Sequence, residues 1–104
     1  MFALQVAPAE LEDVLRGLSG VEDVAVIGVE STREAEGEVP RAYIVRSDEA
    51  VTEATIQHYM TDKVAPHKQL AGGVQFLEEI PRSAAGKILR KDLKAKYRED
   101  TGTV

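Results

Sequence analysis

The sequence predicts the α+β class: a compact single domain with a small central sheet of about three main strands, covered by about three helices. Three observations lead there. The chain has 104 residues, 43% of them hydrophobic and 30% charged, which suits one soluble domain with one core. Its apolar residues switch between helical spacing and short β-branched runs, in the order helix, strand, strand, helix, strand, helix. It has no cysteine, so the fold must be held by packing rather than by disulfides.

The first helix lies in "PAELEDVLRGLSG". Pro8 opens it, Leu11, Val14, Leu15 and Leu18 recur on one face, Glu10, Glu12 and Asp13 suit its N-terminal turns, and Gly20 closes the segment. "VEDVAVIGVE" is apolar and β-branched from Val24 to Val29, as a buried strand requires, and "STREAEGE" is a polar loop. "VPRAYIVR" forms the second strand, with Pro40 near its start, where proline is tolerated. A second helix runs from about Thr52 to Val64, with Thr52 as N-cap and Ile56, Tyr59, Met60 and Val64 on its apolar face. "APHKQLAGG" is a loop, "VQFLEEIP" a third strand ended by Pro81, and Leu89, Leu93 and Tyr97 mark the last helix. Lys87 falls at the expected first turn of that helix, behind the small, hinge-like residues Ser83 to Gly86. The tail "EDTGTV", residues 99–104, reads as flexible.

Charge excludes some functions. The net charge is −5, which argues against a nucleic-acid partner. The distribution is uneven: residues 1–62 hold 13 acidic and 4 basic side chains, residues 63–104 hold 5 acidic and 9 basic. Lys87, Arg90, Lys91, Lys94, Lys96 and Arg98 form a basic stretch, either a solvated helix face or a patch for phosphate-bearing ligands. No run of about 18 apolar residues is present, so no membrane span is expected. "MFALQVAPAE" lacks a basic n-region, so a cytoplasmic location is expected.

Most catalytic motifs are missing. "AAGKI" is no phosphate loop: Pro81 stands where its first glycine belongs, and Ile88 replaces the required Ser or Thr. His58 and Asp62 share a helix face, which fits a surface hydrogen bond better than a metal site, and no metal is expected. His67 sits beside Lys68 without an orienting partner, while Glu78 and Glu79, adjacent on a strand, point to opposite faces and make a poor acid/base pair. Lys87 is left. A cation at a helix N-terminus disfavours the fold by roughly 0.3–1 kcal/mol, so a functional reason for it gains weight.

"PRSAAGKILRKDL" resembles the final motif of the acyl-adenylate-forming enzymes, which include acyl- and aryl-CoA ligases such as 4-coumarate:CoA ligase, firefly luciferase and nonribosomal peptide synthetase adenylation domains. "QVAPAELEDVL", "GEVPRAYIV" and "VQFLEEIPR" resemble three further family segments, in the same order and spacing. Together they cover about Gln5 to Tyr97 and correspond to the small C-terminal domain of those enzymes. The resemblance makes residues 1–104 a C-terminal lid domain, with residues 1–4 a divergent hinge remnant.

The resemblance implies a mechanism. Such enzymes make an acyl-adenylate and pyrophosphate from a carboxylate and ATP, and the lid then rotates so that a thiol attacks the adenylate. The lysine matching Lys87 would contact carboxylate and nucleotide oxygens in the first pose. Gln5 and Gly86 would lie near substrate and nucleotide, and Lys68 and Arg90 are candidate contacts to the phosphates of CoA or a carrier protein. ATP with Mg and CoA, or a carrier's phosphopantetheine, would serve the complete enzyme, with no cofactor bound by this domain alone. The family's lysine and glycine before the Gln have no counterpart in "MFALQVAP", and that lysine is linked to the thiol half-reaction. The chain alone is therefore expected to be inactive and to need an N-terminal adenylation domain, in cis or in trans. The alternative is a stand-alone, non-catalytic interaction module that docks on a partner protein.

Overall fold

The computed structural model describes residues 7–30 and 37–101. The elements are α1 (Pro8–Arg16), β1 (Val21–Glu30), β2 (Glu38–Arg46), α2 (Glu53–Thr61), a 3-10 turn at Pro66–Lys68, β3 (Val74–Phe76) and α3 (Arg90–Thr101). The sheet has the order β1-β2-β3, antiparallel between β1 and β2 and parallel between β2 and β3. The expected α+β class holds.

Both faces of the sheet are covered, which explains why Val24 to Ile27 are buried without alternation. On one face Val24, Val26, Ala42 and Ile44 pack against Leu11 and Leu15 of α1 and Ile56 and Met60 of α2, with Val51 and Leu70. On the other, Ala25, Ile27, Val29, Tyr43 and Val45 pack under Ile80 and Leu93, with Ile88 and Tyr97 beside them. α3 is therefore the cover of the second face. The Arg41 guanidinium, 5.0 Å from the centre of the Tyr97 ring, adds a cation–π contact between β2 and that helix.

Pro40 sits within β2, opposite Gly28 of β1. Its carbonyl accepts from Gly72 N at 2.8 Å, on the side away from β1. The missing N–H faces that same side, before the β3 pairing begins at Ala42, so no ladder bond is lost. Gly72 is required there: a Cβ would lie 2.8 Å from the Pro40 carbonyl oxygen.

Four expectations are corrected. The third strand spans only Val74–Phe76, because Leu77 N makes the last bond to β2, at Ile44 O, and Glu78 and Glu79 lie exposed beyond it. α2 has Thr52 as N-cap, accepting from Thr55 N at 3.2 Å, but ends at Thr61, short of Val64. α3 starts at Arg90, so Lys87 precedes the helix rather than occupying its first turn. It continues to Thr101, with Lys96 and Asp100 paired one turn apart at 3.6 Å, so residues 99–101 of the tail read as flexible are helical.

Candidate functional site: the Lys87 hairpin and its flanks

Residues 81–89 form a miniature hairpin. Arg82 and Ile88 make an antiparallel bridge, Ser83 N donates to Lys87 O at 2.8 Å, and Leu89 N donates to Pro81 O at 2.9 Å. Ala84, Ala85 and Gly86 are the loop, closed by Gly86 N donating to Ser83 O at 2.9 Å. This is the three-residue hairpin pattern, a turn followed by a left-handed residue, and Gly86 supplies that residue with φ +88°. Lys87 N also donates to Ser83 Oγ at 3.2 Å. Bonding of Lys87 on the strand-like side of this turn prevents it from joining α3, which is the physical reason for the correction above.

The Lys87 side chain is exposed, and among the described residues its ammonium has no ion-pair or hydrogen-bond partner. The turn residues that precede it, Ser83, Ala84, Ala85 and Gly86, are neutral and small. The backbone around it is ordered by these four bonds, and the turn presents the lysine outward.

Each foot of the hairpin is held by a carboxylate–arginine pair. Before the turn, Arg82 donates through Nη1 to Gly86 O and through Nη2 to Asp23 Oδ1, both at 2.8 Å. Asp23 Oδ1 accepts from Val24 N as well, at 2.9 Å. After the turn, Arg90 Nη2 donates to Glu12 Oε2 at 2.7 Å. Glu12 is 3% exposed and its Oε2 also accepts from Val26 N at 2.9 Å, while Arg90 Nε donates to Val26 O at 3.2 Å. The ion pair thus satisfies both outward-facing backbone groups of Val26 on edge strand β1, in place of a neighbouring strand. The sequence places Glu12 among helix-terminus acids. Its role as a buried acceptor went unrecognised, because the residue that completes it lies 78 positions away.

The other candidates are scattered. Lys68, in the 3-10 turn, donates to both carboxylate oxygens of Glu10 at 2.9 Å. Gln5 lies outside the described residues. His58 and Asp62 are both exposed and the expected hydrogen bond between them is not formed: α2 ends at Thr61 and Asp62 is its C-cap. Among the described residues, no three His, Cys, Asp or Glu side chains lie close enough together to hold a metal ion. None of the described helices is long and apolar enough to cross a membrane.

A model of the AMP-binding enzyme C-terminal domain matches residues 10–87, from α1 to the lysine of the hairpin. The chain belongs to this family. A phenylacetyl-CoA ligase of Aspergillus niger is 47% identical over 95 residues, which cover 91% of this chain and 17% of the ligase. A fatty acyl CoA synthetase of Mycobacterium tuberculosis superposes with a TM-score of 0.81 at 39% identity, over 91% of this chain and 18% of that one. The o-succinylbenzoate CoA synthetase of Bacillus subtilis, solved in complex with an acyl-adenylate intermediate, superposes with a TM-score of 0.77 at 34% identity. It is matched over 86% of this chain and 18% of its own. The chain therefore corresponds to the C-terminal domain of acyl-CoA ligases and spans a small part of their length, as the four motifs predicted.

Proposed function

We propose that this domain acts as the swinging lid of an ATP-dependent acyl- or aryl-CoA ligase and delivers Lys87 to the adenylation step. One observation carries the reading: Lys87 is held at the end of an ordered hairpin with its ammonium exposed and uncommitted. A lysine ammonium is a compact positive charge on a long stem, suited to oxygens whose negative charge grows in the transition state. In the complete enzyme, ATP with Mg and the acyl carboxylate would meet Lys87 in one lid pose. CoA, or a carrier protein's phosphopantetheine, would then attack in another.

The remaining candidates take secondary roles. Gly86 gives the turn its left-handed residue, and the open space at its Cβ position leaves room for substrate and nucleotide, which would approach there in the complete enzyme. Gln5 would approach the substrate through the segment before α1. Lys68 and Arg90 would offer phosphate contacts through the donors their carboxylate partners leave open. The lid works against an N-terminal adenylation domain, in cis or in trans, in the cytoplasm.

The test is Lys87→Ala with the lid joined to or mixed with its adenylation domain. Acyl-adenylate formation, read by pyrophosphate exchange, should fall by about 10²–10³, the usual loss for one preorganised electrostatic contact. Thioester formation from preformed acyl-adenylate should change far less, since Lys87 has by then swung away. An unchanged adenylation rate would refute the reading and return the domain to the interaction-module class.

A further inference from the structure

Two ion pairs, Asp23–Arg82 and Glu12–Arg90, hold the feet of the Lys87 hairpin. We propose that Asp23 and Arg82 form a brace that positions Lys87, so that the lysine travels with the whole domain as a rigid projection. The small-residue turn is then no hinge of its own.

Arg82 spans two acceptors at once. Nη1 holds the Gly86 carbonyl, the peptide that leads directly into Lys87, and Nη2 holds Asp23 at the start of β1. A planar guanidinium suits this, because its fork fixes the angle between the two acceptors, which a lysine ammonium would not do. Asp23 is itself fixed by accepting from Val24 N and lies at the irregularity where the β1–β2 register shifts between Val21 and Asp23. The far foot is fixed separately, since Arg90 is locked to buried Glu12 and to the Val26 carbonyl. With both feet tied to β1 and α1, rotation of the turn relative to the sheet requires breaking charge-assisted bonds. Ser83 Oγ and the hairpin bonds then fix the direction in which the Lys87 stem leaves the backbone.

The inference rests on Lys87 being the adenylation lysine, and two separate readouts keep the two claims apart. The first uses this chain alone: amide hydrogen exchange in Arg82→Ala, Arg82→Lys, Asp23→Ala and Asp23→Asn. Protection at the Ser83 and Gly86 amides should fall at least about tenfold in the two alanine variants, while α1, α2 and β2 amides keep theirs. Asp23→Asn, which retains an acceptor for Arg82, should recover part of the loss, and Arg82→Lys should not. The second readout uses the lid with its adenylation domain. Arg82→Ala should lower kcat for adenylation by about 10–10²-fold, the range expected when a reacting group is displaced by about 1 Å. KM for ATP and thioester formation from preformed acyl-adenylate should hold.

Unchanged exchange at Ser83 and Gly86 would overturn the brace. Increased exchange with full adenylation, in an enzyme that Lys87→Ala cripples, would show that the brace stabilises the hairpin without aiming the lysine, and the proposal falls. If Lys87→Ala itself leaves adenylation intact, the functional reading fails and positioning falls with it, while the exchange data still report whether the brace exists.

Discussion

Replacing Glu12 by Ala should be among the most damaging single changes outside the apolar core. Glu12 is 3% exposed and Oε2 serves two donors, Val26 N at 2.9 Å and Arg90 Nη2 at 2.7 Å. Truncation orphans the Val26 N–H, a loss of about 1–3 kcal/mol for a buried donor. It also removes a charge-assisted bond, ordinarily worth about 1.5–3 kcal/mol. The second figure is discounted because the Arg90 side chain is 37% exposed and can turn to water. A net destabilisation of about 2–4 kcal/mol follows, a fall in Tm of roughly 10–20 °C for a domain of this size. Glu12→Gln keeps an acceptor for Val26 and should lose only about half as much. Arg90→Ala leaves a buried carboxylate half-paired and should cost at least as much as Glu12→Gln. Urea unfolding at constant m measures all three, and the Glu12→Ala/Arg90→Ala double mutant should show a coupling above about 1 kcal/mol. A loss below about 0.5 kcal/mol for Glu12→Ala, or additive single mutants, would refute the claim that this pair closes the β1 edge.

Two further outcomes are expected besides the Lys87 and brace experiments. Gly86→Ala should cost about 1–2 kcal/mol through the left-handed backbone alone, since the added methyl group meets nothing within 4 Å; Asn at that position should cost less. Thermal melts of both variants check it, and equal losses would point to a clash instead. Isothermal titration of this chain with ATP should show no sub-micromolar binding, because Pro81 and Ile88 occupy positions a phosphate loop would need for glycine and a hydroxyl.

The class of the fold was legible because its causes are local. Leu11 and Leu15 recur at helical spacing, Val24 to Val29 are β-branched and apolar, and Thr52 caps α2, each a property of neighbouring residues. The candidate lysine was legible for the same reason: "PRSAAGK" is a short contiguous motif, and motif and order together led to the family. The setting of that lysine differs from what the spacing predicts. Helical spacing after Gly86 places Lys87 in a helix, yet backbone pairing of Ser83 with Lys87 competes for the same groups and wins, delaying α3 to Arg90. The signal was present in Ala-Ala-Gly, a three-residue hairpin loop with its glycine in the left-handed place.

What the sequence by itself determined is therefore the inventory: one small α+β domain, its element order, and a lysine in a glycine-bearing turn. What only the tertiary structure decided is which charges meet. Asp23 finds Arg82 across 59 positions and Glu12 finds Arg90 across 78. Charge partners of this kind leave no periodic trace in a chain, because a carboxylate on a helix reads the same whether water or a distant guanidinium completes it. Packing α1 and the Lys87 hairpin, with the start of α3, against β1 makes that choice. It turns two ordinary acids into the supports of the turn that carries Lys87.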